Sequence, residues 1–106
     1  MSTPSDDDLA RTLVDVVTAD PAVARLDAGL YGAVATLLPG GRLVGVRVDP
    51  DPARPVEVAV VLYLGAPIPT VVAGLRARLA RVLGDRPVDL TVADVVAGPV
   101  DVQVEI

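Results

Sequence analysis

The stretch between Glu57 and Arg76, VAVVLYLGAPIPTVVAGL, contains no charged residue and constrains the fold more than any other part of the chain. An apolar run of about 18 to 20 residues is long enough to span a bilayer as a helix. Gly65, Pro67 and Pro69 interrupt it, however, where a spanning helix would lose backbone hydrogen bonds that lipid cannot replace. The residues before Gly65 alternate and are β-branched, whereas those after Pro69 have helical spacing. The stretch therefore predicts a buried strand, a tight corner and a helix.

The composition predicts one small domain with a valine-rich sheet. The chain has 106 residues, of which 52% are hydrophobic and only 2% are aromatic. A chain of this length buries about 65% of its unfolded surface in a single core. Because aromatic residues are so few, that core must be packed from Val, Leu and Ala, and Val favours strands. We expect a disordered tail at residues 1–5 and a single α+β domain at residues 6–106.

The missing residue types and the net charge argue against several classes of function. A net charge of −5 disfavours nucleic acid as a partner, because such binding depends on Arg and Lys. The absence of Cys, His and Lys removes the commonest general base and the strongest nucleophiles. Carboxylate pairs such as Asp49 with Asp51 are typical of turns and solvated loops. We therefore predict a protein that is not an enzyme, with no cofactor and no metal site, and the acidic, polar N-terminus predicts a cytoplasmic location.

Two amphipathic helices are predicted. The first begins at a cap formed by Ser5 or Asp6 and ends before Asp20-Pro21, since a residue before proline is pushed out of the helical region. The second begins at Pro69 and ends at Leu83, with Gly84 as its C-terminal cap. The apolar positions predicted to face the core are Leu9, Leu13, Val16 and Val17 in the first helix, and Val72, Leu75, Leu79 and Val82 in the second.

Four strands are predicted around these helices. A type II turn at Pro39-Gly40 joins strands at residues 34–38 and 43–48, and Val44, Val46 and Val48 share one face of the second strand. Gly29 and Gly32 bracket a bend at the start of this hairpin. A long strand covers residues 56–64 and a fourth covers 88–92, while residues 22–28 remain ambiguous and the alternating residues 100–106 form a possible extra C-terminal strand. The order α-β-β-β-α-β predicts a two-layer sandwich, with both helices on a mostly antiparallel or mixed sheet.

Two features are candidate interaction surfaces. On the outer face of the second helix, small and basic residues line up, and small residues allow another element to approach closely. Alanine is also the best helix former, which explains the same pattern without a partner. The alternating C-terminal segment is a template for pairing between chains. The candidate surface residues are Ala73, Arg76, Ala77, Ala80 and Arg81 on the helix, and Val102 and Val104 in the C-terminal segment; Arg78 and Arg86 extend the basic cluster.

Several segments together resemble the bacterial alkaline shock, or envelope stress response, protein family. GAPIPTVV at residues 65–72 is similar to the family's glycine, two variable positions and Ile-Pro before a helix. DPAVARL at 20–26 resembles the segment after its first helix, and RPVDLTVADV at 86–95 resembles its closing strand. GLYG at 29–32 and the turn region 38–48 are similar to shorter members of the family. Leu64 and Thr70 depart from its pattern, where an aromatic and an acidic residue are common.

This resemblance implies a non-enzymatic scaffold linked to homeostasis of the cell envelope. In the family, a cytoplasmic domain can be held at the inner face of the membrane by a separate, small membrane-anchored partner, and it can self-associate. We therefore expect this chain to bind such a partner, without inserting into the membrane itself, and to form a homo-oligomer. A regulatory domain that binds a small ligand between sheet and helices is the alternative.

Overall fold

The computed structural model describes residues 5–98 and confirms the α+β class and the predicted order of elements. It adds a short strand in the segment left ambiguous above, and it divides the predicted second strand of the hairpin in two. The elements are α1 (Asp6–Thr18), β1 (Val23–Leu26), β2 (Ala35–Leu38), β3 (Gly41–Val44), β4 (Val46–Arg47), β5 (Val56–Tyr63), α2 (Ile68–Leu83) and β6 (Val88–Val96).

The main sheet is mixed and is organised around β5. Strands β1 and β4 both pair antiparallel with one edge of β5, where β1 lies beside residues 60–62 and β4 beside residues 57–58. Strand β6 pairs in parallel with the other edge along the whole of β5. Such a parallel pair needs a crossover connection, and α2 supplies it. Strands β2 and β3 form a separate antiparallel hairpin.

The caps of both helices follow from the residues at their ends. The amide of Asp8 donates to Ser5 Oγ at 3.1 Å, so Ser5 caps α1. Helix α2 begins at Ile68, one residue before the predicted start, and places Pro69 in its first turn, where proline tolerates its missing N–H. Gly84 ends this helix as predicted, with φ at 62° and its amide donating to the Ala80 carbonyl.

The core lies between the two helices and one face of the sheet. In α2, Leu75 and Leu79 are fully buried as predicted, and the half-buried Val82 packs against the core. The prediction was wrong at Val72, because Val71 takes the buried position in that turn. The side of α2 that faces the sheet is therefore formed by residues four positions apart, Val71, Leu75 and Leu79. In α1, Leu13 and Val17 are buried as predicted, together with Ala10, and the half-buried Leu9 and Val16 pack against the core. The core side chains are Ala10, Leu13, Val17, Val23, Val46, Val48, Val56, Val58, Val60, Leu62, Val71, Leu75 and Leu79.

Gly45 separates β3 from β4 and corrects the predicted strand. Its φ of 94° lies in the region that favours glycine, and an added Cβ would overlap the Cβ of Leu26 and approach its Cδ2 to 2.9 Å. The backbone of Gly45 accepts from the Ala59 amide and donates to the Val34 carbonyl. Because the chain changes direction here, Val44 is 37% exposed instead of sharing the buried face of Val46.

The ends of two strands in the main sheet also differ from the prediction. Strand β5 ends at Tyr63, and Leu64, which was predicted to continue the buried face, is 72% exposed. Strand β6 is longer than predicted and reaches Val96, where its carbonyl accepts from the Leu64 amide at 2.7 Å. The possible C-terminal strand at residues 100–106 lies outside the described residues.

Candidate interaction surfaces

The outer face of α2 carries five of the predicted surface residues. Ala73, Arg76, Ala77, Ala80 and Arg81 are all exposed, on the side of the helix away from the Val71, Leu75 and Leu79 row. Their arrangement leaves a surface of small side chains beside two guanidinium groups. Val102 and Val104, the other predicted residues, lie outside residues 5–98. The interaction role of this helix face remains a prediction.

Three of the four clustered arginines make contacts within the fold. Arg86 Nη2 donates to the Asp49 carbonyl at 2.7 Å and to the Asp51 carbonyl at 3.2 Å, which ties the proline-rich loop between β4 and β5 to the end of α2. Arg76 Nη1 donates to the Val88 carbonyl at 3.3 Å. Arg78 forms an ion pair with Asp20. Most of the basic cluster therefore stabilises loops and helix packing rather than forming a free cationic surface.

Asp20 joins the end of α1 to the middle of α2. Its side chain is only 10% exposed, and its Oδ1 accepts from the Ala22 amide at 2.9 Å. Its Oδ2 accepts from Arg78 Nη1 at 2.8 Å. The carboxylate is therefore satisfied by two donors, as a nearly buried charge requires.

We expect Arg78→Met to lower the free energy of unfolding by about 1–2 kcal/mol, because the nearly buried Asp20 carboxylate would lose its charged partner. Arg81→Met is the matched control on the same helix, since Arg81 is exposed and makes no ion pair with any of residues 5–98. The control should change stability by less than about 0.5 kcal/mol. Urea denaturation followed by circular dichroism measures both variants, and equal effects would contradict this role of Asp20.

A second surface, which the sequence analysis did not identify, is an exposed apolar patch at the hairpin. Six large apolar side chains are exposed among the described residues, and four of them lie here: Leu30 at 89%, Tyr31 at 90%, Leu37 at 81% and Val44 at 37%. Leu37 pairs across the hairpin with Arg42, and alternation places Val44 on the same face. We call Leu30, Tyr31, Leu37, Arg42 and Val44 the hairpin patch.

Arg42 connects the two parts of the hairpin patch. Its Nη2 donates to the Gly32 carbonyl at 3.0 Å, so its guanidinium lies against the turn that carries Tyr31. The opposite face of the hairpin is turned inward: the hydroxyl of Thr36 donates to the Val46 carbonyl at 2.7 Å, and Leu43 packs against the core. Neither Leu37 nor Val44, the apolar side chains of the outer face, belongs to the core or packs against it.

Backbone and side-chain hydrogen bonds fix the turn that carries Leu30 and Tyr31. The Gly29 amide donates to Asp27 Oδ2 at 2.9 Å, and the Gly32 amide donates to the Gly29 carbonyl at 3.2 Å. The Val34 amide closes the loop on the Ala28 carbonyl at 2.9 Å. The signal in the sequence was two large apolar residues between glycines; the glycines predicted a bend and left the exposure of Leu30 and Tyr31 undetermined.

Several recesses open on the surface. One of about 490 Å³ lies between the turn at Gly29 and Leu30 and residues 91–93 of β6. A groove of about 430 Å³ runs between the end of α1 and α2, where Val16 and Val82 form apolar walls and Arg78 and Arg81 stand beside it. A smaller recess of about 270 Å³ lies at β6, where Glu57 and Asp89 occupy paired positions on neighbouring strands. Glu57 forms an ion pair with Arg47 at 3.0 Å. Within residues 5–98, no three acidic, His or Cys side chains are grouped so that they could hold a metal ion.

No helix in the described part of the chain combines the length and the apolar character needed to cross a bilayer. No protein-family model, curated protein or solved structure matches the chain. The resemblance to the alkaline shock family therefore stays a prediction that depends on the segments quoted above.

Proposed function

We propose that this protein is a non-enzymatic cytoplasmic interaction module that acts as a scaffold in the response to cell-envelope stress. A separate, small membrane-anchored protein holds it at the inner face of the membrane, and copies of the chain associate with each other. The observation that carries the interaction role is the hairpin patch, where four large apolar side chains of the hairpin and the preceding turn are exposed. The link to the envelope depends on the sequence resemblance alone.

The hairpin patch supports an interaction role because exposed apolar surface is unfavourable unless something covers it. A single exposed apolar residue is ordinary, but contiguous patches on small soluble domains mark sites of association. Tyr31 adds a large, rigid side chain that loses little conformational entropy on binding, which is why Tyr is enriched in interfaces. The outer face of α2, with its alanines and arginines, is the second surface available to a partner.

The alternative function, a regulatory domain that binds a small ligand, is favoured by one feature. The groove between α1 and α2 is apolar and has arginines beside it, an arrangement that would suit an organic acid. This groove lies between the two helices, however, whereas the sequence analysis placed the ligand between the sheet and the helices. A rise in the melting temperature with an organic acid, lost in Arg81→Met, would favour this alternative.

The proposed function is tested by crosslinking in native cells, followed by membrane fractionation and identification of the captured proteins. We expect the wild-type chain to be recovered with the membrane, joined to one small protein that has a spanning segment. The double variant Leu30→Ser/Tyr31→Ser should lose at least about nine-tenths of this capture if the partner covers the patch, because apolar anchors dominate such interfaces.

The double variant Ala73→Glu/Ala77→Glu is the matched change on the outer face of α2. Loss of capture in this variant, with capture retained in Leu30→Ser/Tyr31→Ser, would assign the partner to the helix. Recovery of the wild-type chain without any membrane protein, at its natural abundance, would contradict the proposed function.

A further inference from the structure

We propose that the outer edge of β6 binds an extended segment of a partner protein as an added strand, and that this segment carries a basic residue two positions away from an apolar one. The inference rests on the proposed function in one respect, because it takes the segment from the cytoplasmic flank of the membrane-anchored partner. Flanks on that side of a membrane are rich in Lys and Arg. Strand addition is a recurring way to bind an extended peptide.

The first argument is that β6 is an edge strand. In the described part of the chain it pairs only with β5. Successive residues of a strand direct their backbone groups to opposite edges. The Pro87 carbonyl accepts from an amide of β5, whereas the Val88 carbonyl accepts from Arg76 Nη1 on the outer side. By the same alternation the N–H and C=O groups of Leu90 and Val92 point outward, where they can pair with another strand.

The available length of this edge is short. At one end Arg76 Nη1 lies 3.3 Å from the Val88 carbonyl. At the other end, just after a shift in the register between β5 and β6, the Asp94 side chain accepts from the Val95 amide at 2.8 Å. An added strand therefore lies beside residues 89–93. Such a short edge favours one peptide segment over open-ended pairing between sheets.

The second argument is a row of charges that ends at this edge. Arg47, Glu57 and Asp89 occupy paired positions on β4, β5 and β6, on the face of the sheet away from the helices. Glu57 forms its ion pair with Arg47, while Asp89 makes no ion pair with any of residues 5–98. Two carboxylates side by side on neighbouring strands repel each other. A Lys or Arg opposite Asp89 on an added strand would compensate this charge.

The third argument is that two recesses follow the edge and leave room for the side chains of an added strand. The recess of about 270 Å³ includes Asp89 and Thr91, and the recess of about 490 Å³ includes Thr91 and Ala93. The two recesses therefore meet at Thr91. In strand addition the main-chain hydrogen bonds supply affinity, and pockets for alternate side chains supply specificity.

The linings of the two recesses differ, and the difference defines the pattern of the added strand. The first holds the carboxylates of Glu57 and Asp89 and one guanidinium, that of Arg76, so its lining is negative overall. The second is mostly apolar, with Leu30 at its side, and the carboxylate of Asp27 in its lining already forms an ion pair. Because side chains two positions apart share one face of a strand, a basic residue in the first recess places an apolar residue in the second.

The alternating segment of the chain itself, residues 100–106, suits this edge less well. It carries Asp101 and Glu105 and no basic residue, so it would bring carboxylates beside Asp89 and Asp94. A basic segment is also attracted by the net charge of −5 of the whole chain. Occupation of the edge by residues 100–106 is one outcome of the test.

The test is amide hydrogen exchange in the full-length chain, followed by nuclear magnetic resonance with and without a blocked peptide in which Thr alternates with Lys, Val and Lys. This Lys peptide reads the same in both directions, so it fits parallel and antiparallel addition. We expect binding with a dissociation constant below about 1 mM. The amides of Leu90 and Val92 should exchange at least about tenfold more slowly in the complex. The amides of Asp89 and Thr91, which face β5, should be protected in both states.

Asp89→Lys reverses the charge at the end of the row. We expect this variant to bind the Lys peptide at least about fivefold more weakly, and to bind instead a peptide in which both Lys are replaced by Glu. Asp85→Lys is the matched control, since Asp85 is exposed in the turn after α2 and lies outside both recesses. It makes the same change in net charge and should alter the affinity by less than about twofold. Circular dichroism shows that both variants are folded.

Four results would overturn the inference. They are a wild type that does not bind the Lys peptide up to about 1 mM, amides of Leu90 and Val92 that are already protected in the free chain, binding that leaves these amides unprotected, and equal weakening in Asp89→Lys and Asp85→Lys.

Capture in cells separates this inference from the proposed function. Asp89→Lys should lose the membrane protein that the wild type captures. If Asp89→Lys retains that protein, the inference fails while the proposed function stands. If the Lys peptide protects Leu90 and Val92 but the wild type captures no membrane protein, the edge of β6 is a peptide site and the proposed function fails.

Discussion

Gly45→Ala is expected to lower the free energy of unfolding by at least about 3 kcal/mol, a large part of the 5–15 kcal/mol that stabilises a typical domain. Two causes combine. The φ of 94° is unfavourable for any residue with a Cβ, and that Cβ would overlap Leu26, whose own Cβ cannot move away without displacing β1. Urea denaturation followed by far-ultraviolet circular dichroism measures the loss.

Gly40→Ala separates these two causes. Gly40 also has a positive φ, 83°, but no atom lies within 4 Å of the position that its Cβ would take. We therefore expect it to lose only about 1–2 kcal/mol, from backbone strain alone. If Gly45→Ala were no more destabilising than Gly40→Ala, the added Cβ would not overlap Leu26. That result would contradict the close approach of β1 to the β3–β4 junction.

Leu79→Ala is expected to lower the free energy of unfolding by about 3–5 kcal/mol. Leu79 is fully buried in the row of α2 that faces the sheet. Its truncation loses the transfer free energy of the removed carbons and leaves a cavity that close-packed neighbours only partly fill. Thermal and urea unfolding should agree on the loss, with an unchanged m-value if the fold is intact.

Leu37→Ala makes the same chemical change on the hairpin patch. Because Leu37 is 81% exposed, we expect a change in the free energy of unfolding below about 0.5 kcal/mol. A loss comparable to that of Leu79→Ala would show that Leu37 supports the fold, and would remove it from the interaction surface.

Local sequence signals predicted the elements whose structure depends on near neighbours. Ser5 and Gly84 end their helices as expected, and the Pro39-Gly40 turn joins β2 and β3. The failures occur where distant segments decide the outcome. Strand β1 has no pattern of its own and exists because it pairs with residues 60–62 of β5. The break at Gly45 follows from the position of Leu26, which no local pattern contains.

The sequence likewise predicted one part of the candidate surfaces and missed another. Helical periodicity placed Ala73 and Arg81 correctly on the outer face of α2, but it could not show that Arg78 and Arg86 are engaged elsewhere in the fold. The hairpin patch was missed for a comparable reason. Leu37 is an ordinary strand residue in the sequence, and only the orientation of the hairpin decides which of its faces meets solvent.

The way in which the hairpin is joined to the domain bears on how such a protein can change over evolutionary time. The hairpin forms its own two-stranded sheet and is attached to the main sheet through Gly45 and Thr36. Mutations on its outer face therefore leave the side chains that hold the domain together untouched. Selection can therefore change the exposed surface of the hairpin while the stability of the fold is preserved.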